Sequence, residues 1–368
     1  MVTGENMKHV LIIAEAGVNH NGSVDLAIRL VEEAAKAGAD VVKFQTGLTE
    51  KLISKYAQKA DYQKKTTGEM ESQLEMCKKL EFTWDDHARV IKACRDNNIE
   101  FLSTPFDIES LHFLTKKCGV DTIKIPSGEI TNAQLLFEAG RTGKDVILST
   151  GMSLLGEVER ALAILAYSFI NDVAPKSFNQ CYDSYSSKVG QLALREHVSL
   201  LHCTTEYPAP FENINLKCID TLRNAFELPV GYSDHTIGIT IPIAAVARGA
   251  TIIEKHFTLD RNMEGPDHKA SLEPKELGMM IHSIRQVELA IGNGIKFPSE
   301  SEKKNMDVAR KSLVASCNIK SGTIFDENNL TVKRPGNGIS AIHYWEYLGK
   351  KATHDYCEDE LIRGGSGL

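Results

Sequence analysis

Residues 9–46 read HVLIIAEAGVNHNGSVDLAIRLVEEAAKAGADVVKFQT, and the fold class follows from how this stretch divides. Its ends, 9–17 and 40–46, are short β-branched runs of the kind that form buried strands. Between them Ser23 is placed to cap a helix that puts Ala27, Leu30, Val31, Ala34 and Ala35 on one face, and Gly38 is placed to end it. Strand, helix, strand is a parallel βαβ unit. An open doubly wound sheet would carry a glycine-rich phosphate turn after its first strand, and EAGVNHNG at 15–22 lacks that spacing.

The same alternation continues outward. Further strands are expected at 100–106, 122–128, 145–151, 198–205, 229–235 and 251–258. One helix follows Ser153 with Leu154, Val158, Ala161, Leu162 and Leu165 on its apolar face. Another opens at Pro274, runs through Leu277, Met280, Ile281 and Ile284, and stops near Gly292. Strand–helix pairs that end near residue 292 match the size of a (β/α)8 TIM barrel, an α/β fold of about 250 residues. The domains expected are therefore a barrel over 1–292, a polar linker over 293–310 and a small β-rich unit over 311–368, where apolar runs are short and broken by turn residues. Two connections are long. Residues 47–99, with a charged stretch at 62–79, can cover the mouth of the barrel, whereas 168–197 precede a strand and belong at the opposite end.

The 368 residues, 42% apolar and 25% charged, suit a folded protein, and the net charge of -7 argues against nucleic acid or an anionic membrane as partner. Eight cysteines are scattered without a Cys-x-x-Cys pair, and no signal peptide or membrane-length apolar run is read, so a reduced cytoplasmic protein without structural zinc is expected.

Barrel chemistry collects at the C-terminal ends of the strands, and every expected strand closes in hydrogen-bonding groups. Glu15, Lys43, Gln45, Thr104, Lys124, Ser127, Glu129, Ser149, Thr205, Tyr207, Ser233, His235, Glu254 and His256 all stand there. Lysines ringed by hydroxyls suit a phosphate or carboxylate, although an internal ion pair such as Lys43 or Lys124 with Glu15 would use the same residues. His235 and His256, with oxygen neighbours such as Glu15 and Asp267, fit a divalent ion or two hydrogen-bonded core histidines. Glu129 can act as a base, bind sugar hydroxyls or cap the helix beginning near Asn132.

Taken in order, IAEAGVNHNG (13–22), VVKFQT (41–46), FLSTPFD (101–107), IKIPSGE (123–129), ILSTGM (147–152), LHCTTEYPAP (201–210), GYSDHT (231–236), EKHFT (254–258) and GPDHKAS (265–271) resemble the bacterial sialic acid synthase family. KRPGNGIS (333–340) resembles that family's C-terminal antifreeze-like (SAF) module. The resemblance implies condensation of phosphoenolpyruvate with open-chain N-acetylmannosamine and water, giving N-acetylneuraminate and phosphate by C–O cleavage. The close alternative is 2,4-diacetamido-2,4,6-trideoxymannose, giving N,N'-diacetyllegionaminate; the 168–197 insertion and Thr205 leave that choice open. The resemblance also implies Mn²⁺ or Mg²⁺ on His235 and His256, catalytic roles for Glu15, Lys43, Lys124, Glu129 and Asp267, and substrate binding by Gln45, Thr104, Ser127, Ser149, Thr205, Tyr207 and Ser233. Arg334 is implied to reach into a partner's barrel in a domain-swapped homodimer. A Schiff-base pyruvate aldolase is the more distant rival, but HCTTEYP on the sixth strand offers no lysine.

Overall fold

A computed structural model describes residues 9–59 and 72–363, which form two compact units, Met1–Gly292 and Asn293–Leu368. The first is a (β/α)8 barrel. Its parallel strands are β1 (Leu11–Gly17), β2 (Val41–Thr46), β3 (Glu100–Pro105), β4 (Thr122–Ile125), β5 (Asp145–Ser149), β6 (Val198–Cys203), β7 (Val230–Asp234) and β8 (Ile252–His256). They run in the order β3-β2-β1-β8-β7-β6-β5-β4, and the end strands β3 and β4 pack side by side to close the ring.

Period-two alternation sorts the interior into layers. Ile13, Val41, Leu102, Ile147, Leu201 and Ile252 fill the lower layer with hydrocarbon. Two residues further along the same strands the inward groups become Glu15, Lys43, Thr104, Ser149, Cys203 and Glu254. The outward residues, among them Ile12, Ala14, Val42 and Phe44, pack beneath the helices in the large outer core. The helix after β1, Val24–Ala37, is capped by the Ser23 hydroxyl, which accepts from the Leu26 amide, and ends at Gly38 with φ 88°.

Several strands are shorter than their sequence suggests. β4 stops at Ile125, because Pro126 cannot donate to the ladder and Ser127–Glu129 turn into a short 3-10 helix. β5, β6, β7 and β8 also release their last polar residues, whose side chains line the barrel mouth or bond within its loops instead of extending the sheet.

Residues 60–71, which include much of the expected charged stretch at 62–79, lie outside the described residues. The flanking helices Thr49–Leu52 and Gln73–Leu80 lie between β2 and β3, on the mouth side. In the 168–197 insertion, helices Phe178–Tyr185 and Lys188–His197 pack on helix Leu155–Ile170 and feed the N-terminal end of β6. Among the described residues no helix is long and apolar enough to cross a membrane.

The second unit is built on an antiparallel pair, β9 (Ser312–Ala315) and β10 (Leu330–Lys333), around a core of Leu313, Phe325, Leu330, Tyr347, Tyr356 and Ile362. Its first part contains helix Glu300–Ala309, closed by a Ser299/Glu302 capping box. This helix lies within the segment expected as linker. It has no buried residue and hence no apolar stripe to reveal it in the sequence.

Candidate active site at the mouth of the barrel

The strand ends surround a cavity of about 400 Å³. Each residue assigned to the site from the sequence lines this cavity except Glu129 and Arg334. Glu129 is half-buried in the 3-10 turn after β4 and accepts a 2.7 Å bond from the Asn132 side chain, so it supports the start of helix Ala133–Arg141. Arg334 belongs to the second unit, where it is exposed and its Nε donates to the Ala309 carbonyl at 3.0 Å.

The floor is a charge cluster. Lys43 Nζ lies 2.8 Å from Glu15 Oε2 and 3.5 Å from Glu254 Oε2, and donates to Thr104 Oγ1 at 3.1 Å. Lys124 Nζ lies 3.4 Å from Glu254 Oε1, which also accepts from Ser233 Oγ at 2.7 Å. The internal ion pair weighed from the sequence is present for Lys43 with Glu15, whereas Lys124 pairs with Glu254, a partner the two lysines share. Glu254 went unassigned because its position shows only that it shares a face with His256. That it bridges two lysines depends on β2, β4 and β8 meeting across the barrel.

Burial disfavours every charge here, and the neighbours decide which ones persist. Glu254 is held well below the ordinary carboxylate range, because Lys124 and Lys43 outweigh the effect of its burial. Burial alone would lower Lys43, but Glu15 and Glu254 raise it; burial lowers Lys124. Glu15 is raised by burial and by the Glu254 charge, with Lys43 opposing. An anion bound beside these paired lysines would favour the protonated form of both. Gly17 permits this geometry. It sits at a register shift in β1 with φ 52°, and a Cβ there would lie 3.2 Å from Glu15 Oε1.

Beside the floor, Ser127 Oγ accepts from the Gly151 amide at 3.0 Å and lies 3.1 Å from the Cys203 thiol. Nearer the mouth stand two imidazoles, His235 and His256, with ring centroids 5.3 Å apart and the Tyr207 ring against both. The Nδ1–H of His235 donates to the Thr204 carbonyl at 2.6 Å, so its Nε2 keeps a lone pair. Burial lowers both histidines, which leaves them neutral, and buried His256 Nδ1 has no hydrogen-bond partner. Asp267 Oδ2 is 4.0 Å from that nitrogen, and burial with the nearby Glu15 raises its carboxyl to about 7. Neutral imidazoles beside a carboxyl are a donor set that suits a divalent cation. Among the described residues no three His, Cys, Asp or Glu side chains converge on one point, so substrate or water oxygens would complete such a shell.

The chain matches the NeuB family over residues 30–296 and a SAF domain over 310–365. It is 55% identical to N,N'-diacetyllegionaminic acid synthase of Campylobacter jejuni, across 97% of this chain and 100% of that one. A second N,N'-diacetyllegionaminic acid synthase, from Legionella pneumophila, is 42% identical across 93% of this chain and 90% of its own. The crystal structure of the N-acetylneuraminic acid synthetase of Leptospira borgpetersenii superposes with a TM-score of 0.66 at 34% identity, covering 83% of this chain and 94% of that one. Barrel, SAF unit and sequence agree along nearly the whole length, and the chain belongs to the NeuB family.

Proposed function

We propose that the protein condenses phosphoenolpyruvate with the open-chain aldehyde of 2,4-diacetamido-2,4,6-trideoxymannose and water, giving N,N'-diacetyllegionaminate and phosphate. The observation that carries the reaction class is the floor cluster, where Lys43 and Lys124 share Glu254 among the hydroxyls of Thr104, Ser127, Ser149 and Ser233. Its charge and donors match a small molecule bearing both phosphate and carboxylate. The choice of sugar rests on the 55% identity to the Campylobacter relative. N-acetylmannosamine is the second reading, supported by the likeness to the Leptospira synthetase.

In this reading the floor holds phosphoenolpyruvate so that its C3 faces the aldehyde near Gln45, Tyr207 and Asp267. A C–C bond forms between C3 and the aldehyde carbon, and the cation left at C2 takes water. One water proton goes to the former aldehyde oxygen; the other departs with phosphate as the C2–O bond breaks. Asp267, with its carboxyl near neutrality, can hold the proton for that oxygen. His235 and His256 would hold Mn²⁺ or Mg²⁺, with substrate or water oxygens completing the shell, and the ion when bound supplies Lewis-acid polarisation of the aldehyde. The same resemblance supports a domain-swapped homodimer in which the Arg334 side chain of one copy enters the other's cavity, in a cytoplasmic enzyme.

The test is phosphate release from phosphoenolpyruvate by the full chain with Mn²⁺, with the two sugars offered in parallel. Release with the diacetamido sugar at the higher kcat/KM supports the proposal. A higher kcat/KM for N-acetylmannosamine would favour the second reading, and release with neither would refute the reaction. Oxygen-18 placed between C2 and phosphorus should leave with phosphate; retention in the sugar acid would refute C–O cleavage.

A further inference from the structure

The cavity is chemically divided. Its floor is charged and hydroxylated, whereas the wall on the β2–β3 side carries Leu52, Ile53, Met76, Leu80 and Phe106. Met76 is only 4% exposed, and the other four are half-buried facing a space large enough for a ligand. The wall is anchored to the barrel. Thr49 donates its amide to Glu81 at 2.9 Å, Leu48 donates to Asp107 at 2.9 Å, and Lys51 and Lys78 pair with Glu109 and Glu50. Gly47 lets the wall close, since a Cβ there would meet Leu52 Cδ1 at 2.5 Å and Phe106 Cβ at 3.4 Å. Gln73 adds one amide on the same side, a hydrogen-bonding match for an acetamido group.

An open-chain sugar that reacts at C1 over the floor must send its other end toward the mouth. We propose that this apolar wall is the subsite for the distal end of the sugar, and that it selects a C6 methyl group over a C6 hydroxymethyl group. The inference rests on the condensation reading above and names what sets its sugar preference. A methyl group gains by leaving water for this surface, while a hydroxyl pressed against Leu52, Ile53 and Met76 loses water and finds hydrocarbon. Apolar pockets reject an added hydroxyl only moderately, by about 10- to 100-fold.

The experiment compares two aldehydes that differ only at O6, N-acetylmannosamine and 2-acetamido-2,6-dideoxymannose, by kcat/KM for phosphate release in the full chain. The wild type should favour the 6-deoxy sugar by about 10- to 100-fold. Leu52→Gln, at a half-buried position that can accept a polar group without unfolding, should bring the ratio toward one, as should Met76→Gln. Turnover of both sugars at equal kcat/KM, or a ratio that neither variant changes, overturns the subsite and leaves the reaction standing. Phosphate release with neither sugar overturns the subsite, and overturns the reaction as well when 2,4-diacetamido-2,4,6-trideoxymannose also fails.

Discussion

Behind the two imidazoles, on the outer face of the barrel, Lys255 and Asp234 form an ion pair in which neither side chain is exposed to solvent. Lys255 Nζ lies 2.5 Å from Asp234 Oδ2 and also donates to the Thr236 carbonyl. Asp234 further accepts from Tyr232 Oη at 2.8 Å, the Thr236 amide at 3.1 Å and Thr236 Oγ1 at 3.0 Å. The pair joins the ends of β7 and β8 in register, one residue from His235 and from His256 respectively. Removing one member of a buried pair strands the other charge, at a cost of about 3–5 kcal/mol. Because three donors would remain on Asp234, Lys255→Met should cost about 3 kcal/mol from the carboxylate, with about 1 kcal/mol more for the Thr236 carbonyl that loses its donor. Urea unfolding of the full chain measures this. Adding Asp234→Asn to Lys255→Met removes the stranded charge, so the double variant should be more stable than Lys255→Met alone. A loss below about 1 kcal/mol in the single variant, or no recovery in the double, would refute the argument that the pair is desolvated and mutually dependent.

His235→Ala and His256→Ala should each lower phosphate release by at least 100-fold and weaken Mn²⁺ binding measured by calorimetry; wild-type values for both would remove the metal assignment. Glu254→Gln should lower kcat/KM for phosphoenolpyruvate by at least about tenfold, since it releases the two lysines from their shared partner; an unchanged value would deny Glu254 that role. His20 is stacked 3.8 Å from Phe82, accepts the Gly22 amide on Nδ1 and is lowered by burial to about 3, so it is neutral in the fold and takes its proton on unfolding. Its contribution is complete above about pH 6.5 and is lost as pH falls toward 3, roughly 2.7 kcal/mol by pH 4.5. A His20→Phe variant should therefore show a shallower acid loss of urea stability than wild type, and parallel curves would contradict this. Arg334→Ala should raise the KM for the sugar and leave each unit folded; an unchanged KM would count against the swapped dimer.

The barrel was legible because its physics is local. Each strand is a short β-branched run and each long helix carries an apolar stripe, so periodicity finds both without knowledge of their partners. Helix Glu300–Ala309 was not legible, since it buries nothing and its capping box is the only helical signal in a polar stretch. The apolar wall was equally hidden, because Leu52, Met76 and Phe106 lie far apart along the chain, with β3 between the last two, and resemble ordinary packing until the chain brings them to one cavity.

By itself the sequence determined the fold class and the set of polar residues at the strand ends, because alternation and the direction of a parallel strand fix which side chains reach the barrel mouth. It also set Glu254 and Lys255 on opposite faces of β8. Only the tertiary structure decided what each of them meets: Glu254 turns inward to Lys43 and Lys124, and Lys255 turns outward to Asp234. It likewise tied Glu129 to the Asn132 side chain and divided the cavity into a charged floor and an apolar side. The reason is that a side chain's charge state and partners depend on groups from strands distant in sequence, and the desolvation that makes those partners matter exists only once the barrel has closed.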